Sequence, residues 1–186
     1  MNGIRRHLFW IYVRKTIYAL ILGFIGSILG AYFQNQNWRE QNELSKLETD
    51  RKKAEEIFSE LSTLMGDRQY KTIKLLSSYK QGDSLKIRAN RESLCLQLEM
   101  WGAQKDRLHA LVDGYFGKEC SDYFMRNIQP RFALSGNLIL SKPVDNINRI
   151  ENILAQIGAH IFILNKKMIN AIKEDKIGRF ISKSRE

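Results

Sequence analysis

Hydrophobic residues are laid out along this chain in two ways. From Thr16 to Phe33 they are nearly continuous: TIYALILGFIGSILGAYF holds eighteen residues and no charge. In helical form this stretch reaches roughly 27 Å at about 1.5 Å per residue, close to the thickness of a bilayer's hydrocarbon core. Tyr12 and Tyr18 lie near one end, with Tyr32, Phe33 and Trp38 near the other, and such rings favour the headgroup level. Arg14 and Lys15 can snorkel towards phosphates. The pattern predicts a transmembrane helix over 16–33. A cleaved signal peptide fits less well, because its apolar core usually runs about 7–15 residues. Within the span, Ala19, Gly23, Ser27 and Ala31 recur at four-residue spacing, and Gly26 and Gly30 form a GxxxG pair beside them. Small residues let helix backbones approach closely in lipid, so these six are the candidates for packing one span against another.

Beyond Gln34–Asn37, a candidate hinge, the apolar positions become periodic. From Trp38 to about Gln81 a stripe with alternating three- and four-residue spacing passes through Leu44, Leu47, Arg51, Ala54, Phe58, Leu61, Met65, Arg68, Thr72, Leu75 and Tyr79. This predicts a long amphipathic helix that can continue the span. Gln81-Gly82-Asp83-Ser84 reads as a turn with a helix cap. A second helix is expected from about Leu85 to Phe116, with Leu94, Leu98, Trp101, Leu108, Leu111, Val112 and Tyr115 inward and Gly117 as its stop. A third, from about Glu119 to Ile139, carries Tyr123, Phe124, Ile128, Phe132, Leu134 and Leu138, and Pro130 should bend or divide it. Pro143 suits the first turn of a fourth. Its seam is Ile147, Ile150, Leu154, Ile157, Ile161, Leu164, Met168 and Ala171. The expected fold is all-α: one N-terminal membrane helix followed by an antiparallel bundle of about four helices, coiled-coil-like in its seams. The segments are then a basic aromatic N-terminus (1–15), the span (16–33), the hinge (34–37), the bundle (38–175) and a basic tail (176–186), the last expected to fray.

Charge refines the picture. The chain carries 30 basic and 20 acidic residues, a formal net of +10. Arg5, Arg6, Arg14 and Lys15 precede the span with no acid among them. A basic domain beside an anionic bilayer is attracted to it. The basic residues are interleaved with acids, and there is no zinc-finger spacing, basic zipper or RNA-binding aromatic motif, so nucleic acid is not the expected partner. Counting basic residues on either side of the span nearly ties, with Arg39, Lys46, Arg51, Lys52 and Lys53 facing the four upstream. Cysteine usage that suits a reducing compartment, and the lack of an N-x-S/T site, tilt the bundle to the cytoplasmic side of an inner (plasma) membrane.

Chemistry is sparse. No phosphate loop, HExxH, GxSxG or GxGxxG occurs, and no catalytic residue or cofactor is expected. The nearest approach to a metal site is Asp106-x-x-His109 with Asp113 one turn on and His160 on the fourth helix. A di-iron bundle needs two Glu-x-x-His pairs and two further glutamates, so the ordinary expectation is a surface Asp-His contact and a half-buried His160. Cys95 and Cys120 read as buried free thiols. Arg51 and Arg68 interrupt the first stripe, and Arg91 and Lys105 fall in the matching register of the second helix. They form ion pairs with residues such as Glu55, Glu92 or Glu99 across the bundle or, equally, snorkel from a loosely packed edge. Trp101 is a core anchor or, alternatively, an interaction site.

The function this supports is non-enzymatic. It is a single-pass membrane-anchored bundle that binds lipid, associates with itself and engages an unidentified protein partner as scaffold, sensor or complex subunit. Two alternatives stand beside it: a membrane-perturbing effector of a bacterial (antiviral) defence or toxin system, and an enzyme with a metal or thiol site in the bundle.

Overall fold

The computed structural model describes the backbone of residues 2–180 and the side chains of 17, 18 and 20–179. All its regular elements are helical: α1 (Asn2–Gln81), α2 (Ser84–Tyr123), a π-turn (Phe124–Ile128), α3 (Gln129–Ser141), a 3-10 turn (Val144–Asn146), α4 (Ile147–Lys173) and a last 3-10 turn (Gly178–Phe180). The chain divides into two compact units between Lys46 and Leu47, inside α1. Helix α1 is unbroken through 34–37.

The first unit, as described, is helix. The expected span begins at Thr16 and includes Ala19, whose side chains lie outside the described residues, as do those of the basic segment 1–15. Among the described residues, no helix is long and apolar enough to cross a membrane. The uninterrupted described run 20–33 gives fourteen residues, about 21 Å of helix, before Gln34-Asn35-Gln36-Asn37.

The second unit is a four-helix bundle. Cross-helix hydrogen bonds fix its directions. Ser78 accepts from Asn90 (2.6 Å) and Lys71 donates to Gln97 (3.2 Å), while Glu60 takes Arg107. Residue numbers therefore fall along α2 as they rise along α1. The same reversal relates α2 to α3, through Trp101 to Gln129 and Arg91 to the Leu140 carbonyl. It relates α4 to α1 through Ser62 to Asn165 and Gln69 to the Leu154 carbonyl. The order is up-down-up-down, as short antiparallel connections require. Ile57, Leu61, Met65 and Leu75 of α1 meet Leu94, Leu108, Phe132, Ile150, Ile157 and Leu164 in one buried core.

The breaks have local causes. Asp83 caps α2 by accepting from the Lys86 N–H at 3.0 Å. Gly117 stands at φ 80, ψ 169 inside the span of α2, a conformation open to glycine, so the straight run stops at Phe116 as expected. Pro130 has no N–H to donate. The chain widens into the π-turn just before it, with the Gln129 N–H reaching back to Phe124, and Pro130 then lies in the first turn of α3 where a donor is not needed. Asn127 and Arg131 side chains satisfy the Tyr123 and Asn127 carbonyls, at 3.3 and 2.7 Å. Phe132 and Ile139 face the core, whereas Leu134, expected inward, is exposed.

Two further expectations are corrected. Leu44 is exposed, and the buried part of the α1 stripe runs from Ala54. The C-terminal segment does not fray from Asp175 onward: Ile177 is fully buried and Arg179 is pinned to Asp50. Residues 181–186 lie outside the described residues.

Candidate functional site

Helix α1 presents its large apolar side chains outward from Ile17 to Phe33. Those of Ile17, Leu20, Ile21, Leu22, Phe24, Ile25, Ile28, Leu29 and Phe33 are 47–69% exposed. Positions 20, 21 and 22 point about 100° apart on a helix, with Phe24 and Ile25 between them, and the remaining arc holds Gly23, Gly26, Ser27 and Gly30, so large apolar side chains cover more than half of the circumference and no charge breaks the rest. Among the described residues these side chains stay exposed. Of the small residues expected to pack spans together, Gly23, Gly26, Ser27, Gly30 and Ala31 are all exposed, and Ala19 lies outside the described side chains. A Cβ added at Gly23, Gly26 or Gly30 would meet nothing within 4 Å. Ser27 Oγ donates to the Gly23 carbonyl at 2.9 Å, which satisfies its own polarity within the helix.

The residues considered for a metal are not brought together. His109 Nε2 shares a 2.8 Å hydrogen bond with Ser121 Oγ, and His160 Nδ1 shares one of the same length with Tyr123 OH. Asp106 is held by Lys105 at 2.6 Å, and Asp113 is exposed. Among the described residues, no three His, Cys, Asp or Glu side chains are grouped to hold a metal ion. Burial, helped by the charge of Arg131, holds the His160 imidazole below its ordinary range. The thiols differ from each other. Cys95 is exposed, contrary to expectation, and Cys120 is buried, with no disulfide between them. Burial pushes the Cys120 thiol up, with a smaller contribution from Glu119, and so away from the reactive thiolate.

Arg68 is the buried cation of the bundle among the described residues, and neither of the expected arrangements, a carboxylate partner or snorkelling from an edge, describes it. It is 5% exposed. Its Nη2 donates to the Phe132 carbonyl at 2.9 Å. Its guanidinium carbon stands 4.6 Å from the Trp101 ring centre and 4.7 Å from that of Phe132. The aromatic faces supply negative potential without an acid, while burial lowers its pKa to about 10. At neutral pH it stays charged. Arg51 is half exposed and stands 3.8 Å from Asp175. Trp101 is 3% exposed. It is packed on Phe124 and Phe132, with Nε1 donating to Gln129 at 3.0 Å. It belongs to the core, not to an open surface.

Two polar positions here escape sequence reasoning. Gln97 reads as an ordinary polar residue between apolar ones. It is buried, accepts from Lys71, and its Nε2 has no acceptor. Asp50 gives no signal at all, since its partner Arg179 lies at the far end of the chain. Comparison with protein-family models, curated proteins and solved structures finds no match to this chain.

Proposed function

We propose that this protein is a non-enzymatic bundle held at a membrane, with residues 16–33 embedded in lipid as a single helix and the bundle engaging a protein partner at the membrane surface. The observation that carries the reading is the exposure of large apolar side chains over more than half of the helix circumference from Ile17 to Phe33, with small uncharged residues on the remaining face. Lipid can cover a helix on every side at once, whereas a groove on a folded partner covers one face. The full uncharged stretch, counted with Thr16 and Ala19, has the length a bilayer core asks for, and the described part taken alone falls short of it. Gly23, Gly26, Ser27, Gly30 and Ala31 leave room for a second backbone, which supports self-association of the embedded helices.

The test is crosslinking in native membranes. The wild-type chain should give dimers or higher species, and Gly23→Leu with Gly26→Leu should reduce them several-fold without changing the amount of protein in the membrane. Monomers alone from the wild type would remove the self-association. Single Cys95 labelling by a membrane-impermeant maleimide, applied from either side, would fix the side on which the bundle lies.

A further inference from the structure

Asp50 is the one acidic side chain that the bundle buries among the described residues, and everything that satisfies it comes from one segment beyond the end of α4. The backbone N–H of Arg179 donates to Oδ2 at 3.1 Å, Nε donates to Oδ2 at 3.1 Å, and Nη2 donates to Oδ1 at 3.0 Å. This is the two-pronged match between guanidinium and carboxylate, with an amide added.

The approach is built as carefully as the contact. Gly178 stands at φ +50, and a Cβ there would lie 2.7 Å from Asp50 Oδ2, so a side chain is excluded twice over. Ile177, just before it, is fully buried. Asp175 takes φ 54, while the Lys176 N–H returns to the Ala171 carbonyl at 2.9 Å and the Asp175 N–H to Ile172 at 3.3 Å. That pair of bonds closes α4 and turns the chain back across its end. Arg51 meets Asp175 at 3.8 Å, tying the same two segments a second time. Consecutive residues thus carry a turn, an apolar plug, a glycine that permits contact, and a fork. A terminus that merely trailed away would need none of them.

We propose that Asp50 is a guanidinium-binding socket and that residues 175–179 form a latch closing it in cis, near the start of the second unit. The latch is placed to open. The Arg179 side chain is 59% exposed, so water and salt reach it, while Asp50 stays covered. Around the contact lies a cavity of about 390 Å³ lined by Asp50, Gly114, Tyr115, Gly178 and Arg179. An opened latch leaves there a carboxylate and an apolar slot that an incoming arginine can fill.

Hydrogen exchange on the full-length chain tests this, read at amides 50–57 and 171–177. Arg179→Ala should speed exchange in both segments at least tenfold, and Gly178→Ala should do the same with both charges still present. Arg179→Lys, which keeps charge but loses the fork, should fall between. Millimolar methylguanidinium should restore most of the protection in Arg179→Ala and none in the Asp50→Asn, Arg179→Ala double variant. Unchanged exchange in both Arg179→Ala and Gly178→Ala would overturn the proposal. So would equal protection of the double variant by methylguanidinium, which would mark a non-specific salt effect. None of these readouts depends on lipid, so they stand or fall apart from the membrane reading.

Discussion

Helix α4 and the apolar segment of α1 are both rich in isoleucine and leucine, yet most of these side chains are covered in α4, where Phe162, Ile163 and Ile169 are the exceptions, and none is buried in α1 between Leu20 and Phe33. In α4, Ile150, Ile153, Leu154, Ile157, Leu164 and Met168 are buried, while Glu151, Asn152 and Gln156 on the other side face out. In α1, Leu20, Ile21, Leu22, Phe24 and Ile25 are consecutive or nearly so, and all are exposed. The difference lies in spacing, not in hydrophobicity. A one-sided stripe can be covered by three other helices of the same chain, and folding supplies that cover. The uncharged segment of α1 has no such polar side, and its large apolar side chains stay exposed.

The largest test of this contrast places charge in the continuous segment. Ile21→Lys with Ile25→Lys should abolish membrane recovery, since each lysine near the centre of an embedded helix costs roughly 2.5–3.5 kcal/mol. Thermal unfolding of the bundle should be unchanged, as read by circular dichroism. Loss of bundle stability in that variant would mean that the two regions are not independent. The converse is Phe132→Ala. It removes a fully buried ring that also faces Arg68 and Trp101, and should cost about 3–5 kcal/mol of bundle stability, measured by denaturant titration in detergent. Membrane recovery of the protein that remains folded should not change.

The contrast is legible in the sequence because it rests on spacing. The α4 seam, the stop at Gly117 and the disturbance at Pro130 follow from side-chain periodicity and from what glycine and proline backbones can do, and the bundle has them in place. Leu134 departs from its expected place because it stands two positions, about 200°, from Phe132 on the same helix, and Phe132 takes the core side. The polar interior is less readable still. Arg68 looks like half of an ion pair, whereas two aromatic rings and a carbonyl from distant positions compensate it. Asp50 and Arg179 are 129 positions apart and neither stands out locally. Such pairs are set by tertiary geometry alone. The metal candidates fail for the same reason, as His109 and His160 each find a hydroxyl on the Ser121–Tyr123 stretch.

Acid should sharpen the comparison next, because the titrating groups with buried partners are in the bundle. Hydrogen bonds from Arg179 hold the Asp50 carboxyl below its usual range, against the opposing effect of burial. A folded-state value lowered in this way contributes stability that is complete above the unfolded aspartate value of about 3.9 and is lost as pH falls through the folded one. His160 is also lowered, by burial first and Arg131 second. For a base the sign is that the unfolded chain takes up its proton earlier, so stability declines as pH falls from about 6.5 and levels off below the folded value. Bundle melting temperature should therefore step down twice on acidification. His160→Gln should remove the upper step and Asp50→Asn should shrink the lower one, to which the lowered carboxyls of Asp83 and Glu119 also contribute. A single step near pH 6.5 that survives His160→Gln would point to another group.

The smallest effect concerns Gln97. Its buried Nε2 lacks an acceptor, which carries a cost of about 1–3 kcal/mol in such positions. Gln97→Leu should raise bundle stability by about 1 kcal/mol, measured by denaturant titration, even though Lys71 then has to turn to water for an acceptor. A fall in stability would show that the amide is better satisfied than its surroundings indicate.

Lipid as the cover for residues 16–33 is the claim on which most depends. Extraction of cell membranes with alkaline carbonate, followed by high-speed centrifugation, addresses it directly. The full-length chain should stay in the pellet through carbonate and high salt, and move to the supernatant only when detergent is added. Full-length protein recovered in the supernatant without detergent would contradict it.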